Sequence, residues 1–234
     1  MESCIYPFID FHNHSQWHQD NEVLEIVSIH GDQQKDAKFY TYGYHPWWTL
    51  GKLTQDELAI MKSKYLSDNA CLGLGEFGLD NLKGASIEQQ ESIFIQQLEV
   101  ANETNAPVVI HCVRAFDRLL RIRKEYGKTD WVIHGFVRNK ILAKQVLDAG
   151  IYISVAPHLE NVQTFTETLR YLPLERLFLE TDSDFSLKIQ ARYAIFAALR
   201  NLDVSVLKTI IFNNFAKFYQ GKWKHHDGSK EQLC

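Results

Sequence analysis

The chain has 234 residues, 45% hydrophobic and 12% aromatic, which is enough for a sizeable core, and α/β barrels reach this length as one domain. A formal charge of −4 excludes the global basic footprint of a protein that coats nucleic acid, so any phosphate affinity must be local. No apolar run approaches the ~20 residues of a bilayer span, no signal-peptide pattern is visible, and Cys4, Cys71, Cys112 and Cys234 form no C-x-x-C pair, so the expectation is a cytoplasmic protein with reduced thiols and no membrane contact.

In chain order, the apolar run Tyr6 to Ile9 opens a short buried strand around Tyr6–Phe11, with Asp10-Phe11-His12-Asn13-His14 at its end. Side chains alternate faces along a strand, so His12 and His14 point the same way and can grip one cation, with Asp10 on that face to orient them. Taken alone, the pair also fits surface histidines in a loop. Strand patterns follow at Glu22–Ile29, Phe39–Tyr44, Ala70–Gly75, Pro107–His111, Trp131–His134, Ile151–Val155 and Leu177–Glu180. Helical patterns follow the third to the eighth strand, at Thr54–Ser67, Ser86–Asn105, Ala115–Tyr126, Asn139–Ala149, Asn161–Leu172 and Ile189–Leu202, with an extra helix at Val204–Tyr219. Ser86 with Gln89 forms a capping box, and Ile87, Phe94, Leu98 and Ala101 share one helical face that should pack on the sheet.

Eight strands alternating with helices imply parallel βα units and a (β/α)₈ TIM-type barrel over residues 1–223, followed by a polar tail over 224–234. Only about ten residues separate the first strand from the second, and the second from the third, too few for a crossover helix, so the barrel is abbreviated there. His225-His226 belongs to the tail rather than to a metal site.

The polar residues fall at the C-terminal ends of those strands. Glu76 follows Cys71–Gly75, His111 closes Val108-Val109-Ile110, His134 closes Trp131-Val132-Ile133, and Asp182 follows Leu179-Glu180-Thr181. Each alone has a bland reading, as a satisfied barrel histidine or a helix cap. Jointly they place four histidines and two carboxylates on the one rim where such barrels keep their chemistry, which points to a metal centre.

These residues carry a resemblance. Asp10-Phe11-His12-Asn13-His14, Gly43-Tyr44-His45-Pro46, Gly73-Leu74-Gly75-Glu76-Phe77-Gly78-Leu79-Asp80, Val109-Ile110-His111-Cys112, His134-Gly135-Phe136, Gly150–Val155, Leu179-Glu180-Thr181-Asp182-Ser183 and Asn213-Asn214-Phe215 resemble, in the expected order over roughly the first 220 residues, the TatD family of metal-dependent hydrolases within the amidohydrolase-like barrels. The resemblance implies two divalent ions, one on His12, His14 and Asp182, the other on His111 and His134, with Glu76 bridging them and His45 facing the substrate. Imidazole and carboxylate ligands suit Zn²⁺, Mn²⁺ or Fe²⁺, while the family is described with magnesium-supported nuclease activity. Asp182 is the expected base for the attacking water, and Arg114, one position beyond the family's arginine because Val113 intervenes, is the expected phosphate partner.

Two features depart from the family. The first helices are missing, and the usual proline-bearing stretch after Asp182 is replaced by Ser183-Asp184-Phe185-Ser186-Leu187, whose Asp184 adds negative charge near a phosphate site. Trp17, Trp47 and Trp48 lie in loops after the first and third strands, where they either stack on a base or seal the barrel rim. The expected substrate is a phosphodiester, as DNA ends or short oligonucleotides, with no obligate protein partner; the alternatives are an amidohydrolase acting on a small amide or ester and an idle scaffold. The full ligand set argues against the last.

Overall fold

The computed structural model describes residues 6–15, 21–33, 36–158 and 162–225, apart from the side chains of 162–164 and 225. Trp17, His226 and the cysteines at 4 and 234 lie outside the described residues. Eight strands, β1 (Phe8–Asn13), β2 (Val23–His30), β3 (Tyr40–Gly43), β4 (Cys71–Asp80), β5 (Val108–Val113), β6 (Trp131–Ile133), β7 (Tyr152–Val155) and β8 (Leu177–Leu179), pair in parallel in sequential order. Runs such as Val108-Val109-Ile110 and Leu177-Phe178-Leu179 are buried throughout, as strands covered on both faces must be.

The sheet closes where Asn13 bridges Asp182 in parallel, and the Asp182 N–H donates to the His12 carbonyl at 2.9 Å. Helices α1 (Gln55–Ser67), α2 (Ile87–Thr104), α3 (Phe116–Tyr126), α4 (Lys140–Asp148), α5 (Val162–Tyr171) and α6 (Ile189–Arg200) each follow a strand from β3 onward, and α7 (Val204–Phe218) packs back on β1 and β8. Among the described residues, 14–15, 21–22, 31–33 and 36–39 carry no helix between β1, β2 and β3, so the barrel is shortened where the spacing implies.

Alternation along β1 decides what reaches the centre. Phe11 points outward and stacks on Phe178 at 3.9 Å between ring centroids, with Phe218 and Tyr219 beside it. The Tyr193 hydroxyl joins the same layer, accepting from the Ile9 N–H and donating to its carbonyl, each at 3.1 Å. Asp10 and His12 therefore point the other way. Ser86 and Gln89 make the expected capping box, Thr54 and Glu57 make a second, and Phe94, Leu98 and Ala101 of α2 are fully buried against the barrel.

The strand containing Glu76 is longer than its apolar run suggests: β4 continues from Gly75 to Asp80. Gly73 and Gly75 fall inside the expected strand Ala70–Gly75 and Gly78 beyond it, and all three let β4 lie against its neighbours where no side chain fits. At Gly78, with φ of 152°, an added Cβ would fall on the His111 carbonyl of β5. The peptide joining Gly75 to Glu76 is cis.

Gly78→Ala forces β4 away from His111 and is expected to cost on the order of 2 kcal/mol. For a chain of this size the thermal midpoint should drop by roughly 4–8 °C. A scan of the purified variant checks this; an unchanged midpoint contradicts the close approach.

Candidate metal centre

Seven side chains from six strand ends converge on one cup: His12 and His14 from β1, His45 after β3, Glu76 in β4, His111 in β5, His134 after β6 and Asp182 after β8. Glu76 is its centre, with 2% of its surface exposed. Its Oε2 lies 3.3 Å from His12 Nε2 and 3.4 Å from His14 Nε2, and His14 Nε2 lies 3.2 Å from Asp182 Oδ1. Its Oε1 lies 2.6 Å from His134 Nε2, 2.7 Å from His111 Nδ1 and 3.1 Å from His45 Nε2. The two carboxylate oxygens thus face two different sets of nitrogens. His12, Glu76 and His134 are buried at the base, while His14 and Asp182 stand part-exposed at the mouth.

The polar atoms at the base are incompletely satisfied by protein. His12 Nε2 and Glu76 Oε2 are buried without a hydrogen-bond partner, an expensive condition that a shared cation relieves. The ligand-type atoms of His12, His14 and Asp182, and those of His12, Glu76 and His134, each fall within 4.8 Å of one another. These nitrogen and oxygen sets fit divalent cations.

Electrostatics put several ligands in their metal-binding form. Burial pushes the His12 pKa down to about 4, helped by His134, so the ring is a neutral donor. Burial works against ionisation of Glu76, but His134, His111 and His12 outweigh it and hold the carboxyl well below its usual range. His134 is the exception: burial acts downward, but Glu76 overrides it and raises the imidazole to about 10, so a cation would have to displace its proton. Asp182, despite its own burial, is held far down by His14 and His134.

His45, Glu76 and His111 form a third close group, but the polarity of His45 differs. Its Nδ1 accepts the Trp47 backbone N–H at 3.1 Å, so its proton sits on Nε2 and is directed at Glu76 Oε1. His45 enters the cup as a donor. The Nδ1 of His30 in turn accepts the His45 N–H at 2.8 Å.

Several contributors carry no individual role in the motifs, and Asp10, expected to orient the β1 histidines, is bound to Thr181. Asp80 accepts from His111 Nε2 at 3.1 Å and Trp47 Nε1 at 2.6 Å; spaced by four from Glu76, it is legible as a same-face residue once β4 is extended past Gly75. Glu180, pushed up to about 7 chiefly by burial, accepts the Gly135 N–H at 2.5 Å and so holds the turn after His134. Asp10 binds the Thr181 N–H and hydroxyl at 2.9 and 2.6 Å, tying β1 to the segment that carries Asp182. His30, Ser28 and Gln33 line the cavity from the β2 side, with no sequence motif to announce them.

The cavity holds about 330 Å³, and its walls include Trp47 and Trp48. Arg114, exposed and at a φ of 50°, is not among its lining residues. Asp184 does not stand as an isolated charge at the rim, because Arg192, fully buried, pairs with it at 2.8 Å and also binds its carbonyl.

The family model described as TatD related DNase matches residues 21–220. "Uncharacterized metal-dependent hydrolase YcfH" of Escherichia coli (strain K12) is 28% identical over 219 residues, 85% of this chain and 78% of that protein. "3'-5' ssDNA/RNA exonuclease TatD" of Klebsiella pneumoniae (strain 342) is 33% identical over 122 residues, covering 50% of this chain and 46% of that one. Among solved structures, the TatD homolog YJJV from Escherichia coli K12 superposes with a TM-score of 0.74 at 22% identity, covering 92% of this chain and 99% of the other, which shows the shared fold. The match across most of the barrel, including every strand from β2 to β8, means that the chain belongs to the TatD-related DNase family, as a metal-dependent hydrolase.

Proposed function

We propose that the chain hydrolyses phosphodiester bonds at DNA ends or in short oligonucleotides, with two divalent ions held by His12, His14, Glu76, His111, His134 and Asp182. The observation that carries this reading is the division of Glu76, one oxygen toward His12 and His14, the other toward His111 and His134. The exonuclease activity for which the Klebsiella relative is named supports the substrate class. Zn²⁺, Mn²⁺ and Fe²⁺ suit this imidazole-rich set better than Mg²⁺. When bound, two such ions lower the pKa of a shared water and offset charge on a phosphoryl group.

The protein's own groups supply positioning and proton transfer. Asp182, ionised at the mouth and steadied by His14, takes the proton of the attacking water. Glu76 aligns the two ligand sets, and the Nε2–H of His45 offers a donor to a substrate oxygen beside them. Trp48, 50% exposed and 4.7 Å from the His45 ring, offers a face for an unpaired base. Arg114, off the cavity wall, is assigned to a phosphate outside the cup rather than to the scissile one.

A small cavity favours a single end over a long duplex, and neither Lys nor Arg is among its lining residues. That same lack of basic lining favours the second reading, hydrolysis of a small amide or ester. Residues 1–223 act as one catalytic unit in this proposal. A cytoplasmic location is supported by the buried free thiols of Cys71 and Cys112, and no helix among the described residues is long and apolar enough to cross a membrane.

With Mn²⁺ or Zn²⁺ the purified protein is expected to degrade short single-stranded DNA faster than closed circular duplex, and EDTA should abolish the activity. Turnover that survives chelation contradicts the metal role; turnover of amides or esters with no phosphodiester cleavage moves the assignment to the second reading. Asp182→Asn keeps the side-chain shape but removes the base, so kcat should fall on the order of 10²-fold or more. Nuclease assays of both proteins at matched metal content check this, and equal rates would remove Asp182 as the base.

A further inference from the structure

A buried carboxylate behind the cup joins a metal ligand to the cavity wall. Asp80 Oδ2 accepts from both His111 Nε2, at 3.1 Å, and Trp47 Nε1, at 2.6 Å, while its Oδ1 accepts the Leu82 N–H at 2.8 Å. Its backbone is clamped as well. The Gln90 amide, buried in α2, accepts the Asp80 N–H at 2.7 Å and donates to the Asp80 carbonyl at 2.9 Å. Neither carboxylate oxygen can rotate away without breaking a bond, Oδ2 to His111 and Trp47 and Oδ1 to the turn that follows β4.

The consequence falls on His111. A carboxylate can only accept, so each ring nitrogen donates to one, Nε2 to Asp80 and Nδ1 to Glu76 Oε1 at 2.7 Å; Nδ1 faces the cup, with His134 Nε2 at 3.3 Å, so its proton is the one a cation would displace, while Asp80 behind the cup keeps the proton on Nε2. An imidazole free to exchange tautomers presents the wrong nitrogen part of the time, and each such state must be displaced before a cation binds. The Trp47 ring also sits edge-on to His111 at 5.5 Å between centroids, with Lys83 Nζ 3.8 Å over the Trp47 ring. The indole that lines the cavity therefore shares its anchor with a ligand.

We propose that Asp80 is a positioning residue that locks His111 as the Nε2–H tautomer with Nδ1 as its ligand atom, and that Trp47 shields this bond and couples the cavity wall to the cation on the His111 side. The proposal rests on the metal reading above, but its readouts need no substrate.

Histidine nitrogen NMR of the Zn²⁺-loaded wild-type chain should show His111 protonated on Nε2 and ligated through Nδ1; the opposite tautomer overturns the proposal without any variant. Calorimetric titration with Zn²⁺ should show two equivalents bound, and Asp80→Asn should weaken one of them by about 10–100-fold while leaving the other within a few-fold. Trp47→Phe removes the indole donor and trims the ring beside His111, and should weaken the same equivalent by a smaller factor, with His111 keeping its tautomer. Two equivalents whose affinities ignore Asp80 refute the positioning role. A wild-type chain that binds no cation sinks the metal reading instead, so the two failures are distinguishable.

Discussion

A glutamate with 2% of its surface exposed sits within 3.4 Å of five imidazole nitrogens, and much of this barrel's architecture exists to hold it there. An ionised carboxylate taken out of water costs several kcal/mol unless its lone pairs are matched, and the imidazoles match it. The same histidines, crowded by one another, are costly unless an anion or a cation organises them. The centre is thus self-consistent only as a cluster, and removing one member alters the others.

The closure of the sheet makes that cluster possible. His12 is carried by the first strand and Asp182 by the segment after the last, and they meet because the Asp182 N–H binds the His12 carbonyl and Asp10 grips Thr181 through two hydrogen bonds. An open sheet would leave the two ends at opposite edges. Shortening of the barrel between β1, β2 and β3 leaves His30, Gln33 and Ser28 to wall the cavity from a side where fuller barrels place longer connections.

Charge around the rim is also settled by contact rather than by composition. Asp184 reads as a repulsive neighbour for phosphate, yet the buried guanidinium of Arg192 binds it, two carbonyls of the same loop and the Pro157 carbonyl after β7, so the acidic side chain serves to anchor that loop. Trp47 reads as either a stacking platform or a rim seal. Its indole N–H is committed to Asp80, which makes it wall, whereas Trp48 keeps an open face.

The pattern of apolar runs determined the eight strands, the missing early helices and the placement of His12, His111 and His134 at strand ends, because alternation and burial are local properties of a parallel strand. Glu76 and Asp182 were legible in the same way. Tertiary structure alone decided that β4 extends through its glycines to Asp80, since those glycines answer to the close approach of β5 and not to their own conformational preference. It also decided which nitrogen of His111 faces the centre. For His111 that choice depends on Asp80, 31 residues earlier in the chain, which no spacing rule records, whereas for His45 it is set locally by the Trp47 N–H.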